Sequence, residues 1–362
     1  MTLDLSLLPD GGVPWLAASG EHADIVLSSR IRFARNVAGY AFTARARDGE
    51  RLRVLAQVRD AVPRVPSLAG AALLRLDEMT VTERQLLHER HLVSRELAAL
   101  EGAPEARSGS AVLVSNDAGV MVNEEDHLRL QVFRSGFDVA GACQAAIKLD
   151  RELGAEVPYA FHQEFGFLTS CPTNTGTGMR ASVLIHLPGL VLTQEISKVL
   201  QGLQQMGLTY RGLYGEGSEV IGNFFQISNQ TTMGRSEEEL AEHLARVVRR
   251  VIEQETEARR VLLRDAGYII EDKLWRAYGT LRHARSLPAD EAMNLLSGVR
   301  LAVGLQLLSG LSVYTLNKLL IFSQSAHLSL EAGRTLTESE ANLARARHVR
   351  QALASEAGLA DR

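Results

Sequence analysis

Residues 123–127 read Asn-Glu-Glu-Asp-His and set three carboxylates, Glu124, Glu125 and Asp126, side by side. Adjacent carboxylates are costly to hold together unless a cation or a basic substrate shares their site. Taken alone, the segment also fits a solvated acidic turn. Another carboxylate, Glu216, sits in the glycine-flanked run Gly215-Glu216-Gly217-Ser218-Glu219. Such a run can bring a carboxylate over a substrate, and it equally suits an ordinary surface loop. Arginines supply the opposite charge. Arg30 and Arg32 are spaced i, i+2 and project from one face if the strand begun by Ile25-Val26-Leu27 continues through them. Arg129 follows the acidic run, Arg180 opens a strand-like stretch, and Arg211 precedes the Glu216 loop. Any one of them alone reads as a surface arginine. Together they suggest a phosphate cage, because guanidinium forks bind phosphate oxygens bidentately and stay charged at any working pH. Only four lysines occur among the 39 basic residues, so phosphate chemistry here must lean on arginine.

Absent motifs narrow the chemistry further. There is no G-x-x-x-x-G-K-[ST] loop and no H-R-D or D-F-G pair, so neither common plan for a nucleotide-dependent kinase fits. Gly176-Thr177-Gly178 is too short for a dinucleotide fingerprint, and His88-Glu89-Arg90-His91 lacks the spacing of a zinc protease helix. On that pattern His91 reads as a helix-surface histidine. Two cysteines, Cys143 and Cys171, make no disulfide framework and fit a reducing cytoplasm. A formal charge of -4 argues against bulk electrostatic binding to nucleic acid or anionic lipid. The sequence holds no apolar run long enough to cross a membrane and no secretory leader pattern at Met1 to Pro14.

The elements that must position these residues alternate in type. Residues 48–62 and 80–101 read as helices, the second opened by a capping box from Thr82 and Gln85. Strand, turn and strand are expected over 111–122, with further strands near 128–132, 165–169, 180–187, 209–214 and 222–228. Helices at 138–152 and 192–206 fall between them. From Ser236, capped with Glu239, the pattern turns wholly helical: a helix to about 265, then 270–284, 289–307, 312–322 and 336–357. The reading is an α+β fold, an antiparallel sheet flanked by helices, followed by an all-α C-terminal domain.

Four motifs, in this order, resemble the guanidino (phosphagen) kinase superfamily: Ser28-Ser29-Arg30-Ile31-Arg32, Asn123 to Arg129, Cys171 to Gly178, and Arg211-Gly212-Leu213-Tyr214-Gly215-Glu216. The resemblance spans about residues 25 to 255. It is strongest to the bacterial protein-arginine kinase branch, the McsB type. Small-molecule members carry a helical domain ahead of the first motif, for which a start at Ser28 leaves no room. The helical C-terminal part, Arg180 to Pro188 and Ser228 to Gly234 also resemble that branch. The implied organisation is a lead-in over 1–24, a catalytic domain over 25–255 and a helical domain over 256–362. The implied ligands are ATP and Mg2+.

By the same resemblance, Ser28, Ser29, Arg30, Ile31, Arg32, His91, Arg129, Arg180, Ala181, Ser182, Val183, Leu184, Arg211, Gly212, Leu213, Tyr214, Gly215 and Glu216 are expected at the nucleotide, with His91 near the adenine. Glu125 and Glu216 are the expected catalytic pair gripping the substrate guanidinium, with Glu125 as general base. Glu124 is expected nearer the Mg2+, acting through water, and Cys171 beside the substrate without serving as nucleophile. The implied activity is phosphorylation of exposed arginines in proteins, in protein quality control and stress response, in the cytoplasm. A zinc-binding activator, a chaperone-protease and a homodimer through the C-terminal domain are the partners the resemblance raises; nucleic acid and membrane are not. A kinase for free arginine or another guanidino metabolite, or an adaptor for a chaperone-protease, is the alternative. One departure concerns an R-D-x-x-R-A motif that binds phosphoarginine in that branch. Aligned on Arg345-Ala346, its first two positions are Ala341 and Asn342 here, which puts regulation by phosphoarginine in doubt.

Overall fold

The computed structural model describes Leu8 and residues 13–100, 106–214 and 219–360, with side chains to residue 356. In chain order the elements are β1 (Val26–Arg35), α1 (Asp48–Ala61), β2 (Ala72–Arg75), α2 (Val81–Glu89), β3 (Ala111–Val114), β4 (Ala118–Val122), β5 (Leu128–Ser135), α3 (Val139–Glu156), β6 (Phe161–His162), β7 (Gly166–Phe167), β8 (Met179–His186), α4 (Pro188–Leu192), α5 (Ile196–Gln205), β9 (Leu208–Arg211) and β10 (Phe224–Asn229). The helices α6 (Glu237–His283), α7 (Ala289–Gly304), α8 (Val313–Phe322), α9 (Ser325–Glu331) and α10 (Glu338–Ala360) follow. Eight strands form one sheet in the order β2-β3-β4-β5-β1-β8-β10-β9, and every neighbouring pair is antiparallel. Strands β6 and β7 make a separate two-stranded hairpin.

Period-two alternation divides the sheet into two chemistries. On one face Ile31 and Phe33 of β1, Leu130 and Val132 of β5, Ala181, Val183 and Ile185 of β8, and Phe225 and Ile227 of β10 are buried in one core with α3 and the first half of α6. Their neighbours on the same strands, Arg30, Arg32, Arg129, Gln131, Arg180 and Gln226, therefore belong to the opposite face. The lower part of that opposite face is apolar. Leu27, Phe133, Leu184 and Phe224 join the core of the C-terminal helices, which holds Leu274, Leu296, Leu316, Leu320 and Val349. Trp15 and Leu16 are buried in the same core, so the chain from residue 13 onward packs on the sheet and is more than a lead-in.

Several local expectations shift, each for a stated reason. Thr80 and Glu83, rather than Thr82 and Gln85, form the capping box of α2. That helix stops at Glu89 because His91 adopts a φ of 61°, a left-handed conformation that no helix tolerates and that histidine enters more readily than most residues. The strand expected over 165–169 shrinks to Gly166–Phe167, paired with Phe161–His162 and, through Phe167, bridged to Gly176. The helix expected over 192–206 begins only at Ile196, as α5; the short α4 precedes it, with Gln194 between them at a φ of 61°. Ser236 and Glu239 cap α6 as expected. The helix expected to end near 265 and the one expected over 270–284 abut in α6, with non-helical Ala266 (φ -141°, ψ 27°) as the kink between them.

The alternation makes a stability prediction. Ile31→Ala, which empties a fully buried site on the helical face, should cost about 2–5 kcal/mol in urea unfolding. Ser236→Ala, which removes only the cap of α6, should cost about 1 kcal/mol.

Candidate active site

The polar face of the sheet floors a bay of about 590 Å³. Arg30 and Arg32 of β1, Arg129 and Gln131 of β5, and Gln226 of β10 rise into it, with Arg211 from the end of β9. Register brings them together. Arg32 lies directly between Gln131 and Arg180, and Gln226 lies opposite Arg211. Arg30 Nη2 donates to Gln226 Oε1 at 2.9 Å. Placing Arg32 beside Arg180 sets like charges directly opposite one another, which weakens a sheet. Burial first, and then the neighbouring arginines Arg129 and Arg180, pull the Arg30 guanidinium down to about 10. Burial, followed by Arg30, Arg129 and Arg180, lowers Arg32 well below the ordinary arginine value. Arg30 still carries its charge at neutral pH, so repulsion is built into this floor.

One wall of the bay is aromatic. The reversal after α2 directs the His91 ring against Tyr214, with centroids 5.2 Å apart and planes 18° apart. The edge of Trp15 meets His91 from another side at 5.2 Å. Burial, with Arg30, His88 and Arg32 adding repulsion, holds His91 well below its usual range and so neutral. Gln131 Nε2 fixes the turn by donating to the carbonyls of His91 (3.3 Å) and Leu92 (3.0 Å).

The far end is acidic, and the structure assigns its three carboxylates different tasks. Asp126 is fully buried and accepts from Asn36 Nδ2 and from the Ser170 backbone N–H, each at 2.6 Å. It is an anchor. His127 completes the frame: its backbone N–H donates to Asn36 Oδ1 at 2.9 Å, and its Nδ1 accepts from the Val37 backbone N–H at 3.0 Å. Glu124, also buried, pairs with Arg129 at 2.6 Å. Glu125 projects into the bay, about one third exposed and 3.4 Å from Arg129 Nη2. Desolvation raises its carboxyl above the ordinary glutamate value; Arg129 opposes this, while Asp126, Glu124 and Glu96 reinforce it. Ser170 Oγ donates to the Glu125 carbonyl at 2.8 Å, so the loop that carries Cys171 is tied to the acidic turn. Cys171 is partly exposed, and its Sγ lies 3.0 Å from Thr173 Oγ1.

Eight of the expected residues line this bay, namely Arg30, Arg32, His91, Glu124, Glu125, Arg129, Arg211 and Tyr214; others lie elsewhere. Ser29 Oγ donates to the Gly136 carbonyl and accepts from the Asp138 N–H, both at 3.0 Å, which fastens the start of α3. Ile31, Ala181 and Val183 are in the helical core. Ser28 and Ser182 are buried beneath Arg30, and Leu184 and Leu213 belong to the apolar lower face. Gly215 and Glu216 lie outside the described residues. Sequence reading missed Asn36, Gln131, Ser170, Gln226 and Trp15. Gln226 was within reach of it, because Phe224, Gln226 and Ser228 alternate with apolar residues in an expected strand. Asn36 and Ser170 act only through pairings distant in sequence, which no local pattern reveals. Arg345, on which the phosphoarginine motif was aligned, is fully buried. Its guanidinium donates to the carbonyls of Ser323 and Leu287 and to Asn342 Oδ1, each at 2.8 Å.

Comparison with known proteins identifies this arrangement. Residues 53–258 match the ATP:guanido phosphotransferase C-terminal catalytic domain, and residues 268–361 match the protein-arginine kinase McsB C-terminal domain. The protein-arginine kinase of Moorella thermoacetica is 44% identical over 355 residues, covering 97% of this chain and all of that protein. The protein-arginine kinase of Bacillus cereus is 41% identical over 359 residues, covering 98% of this chain and 99% of that one. The chain belongs to the protein-arginine kinase family. Among solved structures, this kinase resembles the duplicated taurocyamine kinase of Schistosoma mansoni, with a TM-score of 0.60 and 27% identity. That match covers 70% of this chain and 35% of the duplicated protein. Lombricine kinase shares the fold at a TM-score of 0.55 and 24% identity, over 67% of this chain and 71% of its own. Among the described residues no helix is long and apolar enough to cross a membrane.

The bay also fits a polyanion. Arg32 Nε, His91 Nε2 and Tyr214 Oη are buried without a hydrogen-bond partner among the described residues, and such groups are costly unless a ligand meets them. In thermal melts, pyrophosphate or ADP should therefore stabilise this kinase by mass action. Arg32→Met should melt higher than the wild type without ligand, because repulsion is relieved, and should lose most of the anion's stabilising effect.

Proposed function

We propose that this kinase holds MgATP across the arginine floor of the bay and transfers its terminal phosphoryl group to an arginine side chain of a protein substrate at Glu125. The observation that carries this reading is the juxtaposition of a row of mutually repelling arginines with one outward-facing carboxylate. The row calls for an anion with several charged oxygens, and the carboxylate calls for a cation. Arg30, Arg32, Arg129, Arg180 and Arg211 are the groups placed to neutralise phosphate oxygens and the charge that spreads over the transferring group. His91 and Tyr214 offer flat, neutral surface for a base.

Glu125 meets the chemical difficulty of the acceptor. A guanidinium is cationic and a poor nucleophile. A fixed carboxylate orients one nitrogen toward the phosphorus and takes the proton that nitrogen loses as the N–P bond forms and the bond to ADP breaks. The raised carboxyl value of Glu125 makes it a stronger base than an ordinary glutamate. Glu216 is proposed as the second carboxylate gripping the guanidinium. For the metal, no cluster of three His, Cys, Asp or Glu among the described residues could hold it alone. That suits Mg2+, which is commonly bound by substrate phosphates, water and one or two carboxylates. Glu124 would reach it through water, and bound Mg2+ would supply charge neutralisation between the phosphates. Cys171 is proposed to neighbour the substrate arginine.

The proposed homodimer would use an exposed face of α6, because the apolar residues of α7 and the turn after it are taken up by the core. Leu301 and Leu308 are buried in the C-terminal core, and Val303, Leu305 and Leu307 pack against it. Tyr268 and Trp275, seven residues apart on one face of α6, are 79% and 47% exposed, and Ile269 beside them is 54% exposed. They offer the aromatic anchor that a second copy needs.

The test is incubation with MgATP and an unfolded model protein, followed by mass spectrometry under neutral conditions that preserve the acid-labile N–P bond. Phosphate on arginine side chains is expected. Glu125→Gln should lower turnover at least about 10²–10⁴-fold while nucleotide binding survives. Transfer to free arginine alone would replace protein substrates with a metabolite, and nucleotide binding without transfer would leave an adaptor. On acidification, kcat/KM should begin to fall above pH 4.5, the ordinary glutamate value from which Glu125 is raised, because the base is lost as its carboxyl protonates.

A further inference from the structure

The last residues of α2 and the turn that follows it carry a polar cluster that the phosphoryl-transfer chemistry does not use. Glu89 is buried at the interface between α2 and α9. Its carboxylate accepts from the Ala326 and His327 backbone N–H groups at 3.1 and 3.3 Å, from His327 Nδ1 at 2.8 Å and from Gln85 Nε2 at 3.0 Å. A side chain from the catalytic half thus caps the first turn of a C-terminal helix. The next residue continues the contact. Arg90 Nε donates to His327 Nε2 at 3.0 Å, and its guanidinium lies 5.3 Å over the Phe322 ring. With Nε2 accepting from Arg90, His327 must donate from Nδ1 to Glu89, so both faces of the imidazole are committed. Burial, which lowers His327, agrees with this neutral form.

Immediately after this pair the chain reverses at His91, whose φ of 61° sends its ring into the bay against Tyr214. Residues 89 to 91 therefore form a bracket. Two of them are bolted into the C-terminal helices, and the third forms the aromatic wall. A residue held in left-handed backbone persists only where its surroundings over-determine it, and on the α9 side those surroundings are Glu89, Arg90 and His327.

We propose that the Glu89–His327–Arg90 cluster is a positioning device through which the C-terminal helices set the His91 ring for the nucleotide. His327 and Glu89 touch no substrate in this account; they act through His91. The proposal rests on the reading of His91 as a nucleotide-side residue, which is tested separately by His91→Ala.

The experiment is steady-state kinetics of the full-length chain with His327→Ala, His327→Asn and Glu89→Gln, varying ATP and protein substrate independently. Nucleotide titration of Trp15 fluorescence, in a Trp275→Phe background, supplies a second readout. His327→Ala should raise the KM for ATP about tenfold, the factor equivalent to about 1.4 kcal/mol and in the range of a lost buried hydrogen bond to a charged group. The KM for protein substrate should move less than about twofold, well inside the same RT scale. His327→Asn, whose side-chain amide can replace Nδ1–H, should recover most of the loss. Glu89→Gln should follow His327→Ala, and it carries the test if that variant does not fold. The proposal is overturned if ATP and protein KM rise together, if folded His327→Ala keeps a wild-type KM for ATP and an unchanged Trp15 titration, or if His327→Asn recovers nothing. If His91→Ala itself leaves nucleotide binding intact, the reading of the aromatic wall fails instead.

Discussion

Repulsion among guanidinium groups on one face of a sheet is the constraint around which this molecule is arranged. Arg32 and Arg180 sit opposite each other across β1 and β8, and burial and mutual repulsion act against the charge on Arg30 and Arg32. A fold can carry such a cost only where the remainder of the sheet is over-supported. The reverse face supplies that support, since Ile31, Val132, Val183 and Ile227 pack against α3 and α6 with essentially no exposure. The helical core on one side and the apolar lower part of the other side supply stability, and the tension that favours a polyanion is confined to the arginine floor.

The acidic turn shows how a small polar frame gives adjacent carboxylates separate fates. Asn36 bridges Asp126 and the His127 backbone, Arg129 neutralises Glu124 at the bay's edge, and Glu125 is the most exposed of the three. Without Asn36 and Ser170, three like charges in sequence would compete for one environment. With them, one serves as an anchor, one as a counter-charge and one is available to a cationic substrate.

Much of this was legible in the sequence, and the boundary of legibility is physical. Alternation of apolar and polar residues identified the main strands and the shared face of Arg30 and Arg32, because a strand writes its two faces into every second residue. The cap at Ser236 was readable for the same local reason. The end of α2 was not, because the apolar spacing through Leu97 and Leu100 continues past the point where His91 reverses the chain, and a left-handed residue other than glycine leaves no compositional mark. Short β2 escaped notice because Ala72–Arg75 is only four residues long and depends on β3 for its partners. The frame of the acidic turn relies on Asn36 and Ser170, 90 and 44 residues from Asp126, and was invisible for that reason.

The passage of α6, kinked at Ala266, from the sheet's core into the C-terminal helices has a consequence for how the chain can be divided. Leu244 and Val248 belong to the core beneath the sheet, while Leu262, Ile270 and Leu274, farther along the same helix, belong to the other core. Modular proteins are usually joined by exposed linkers that can be cut, lengthened or recombined with little harm. Here the joint is itself a helix buried at both ends. A nick near Ala258 would strip apolar surface from both cores at once, whereas the kink at Ala266 lies in a mostly exposed stretch, with Tyr268 79% and Ile269 54% exposed, and is where the helix divides at least cost.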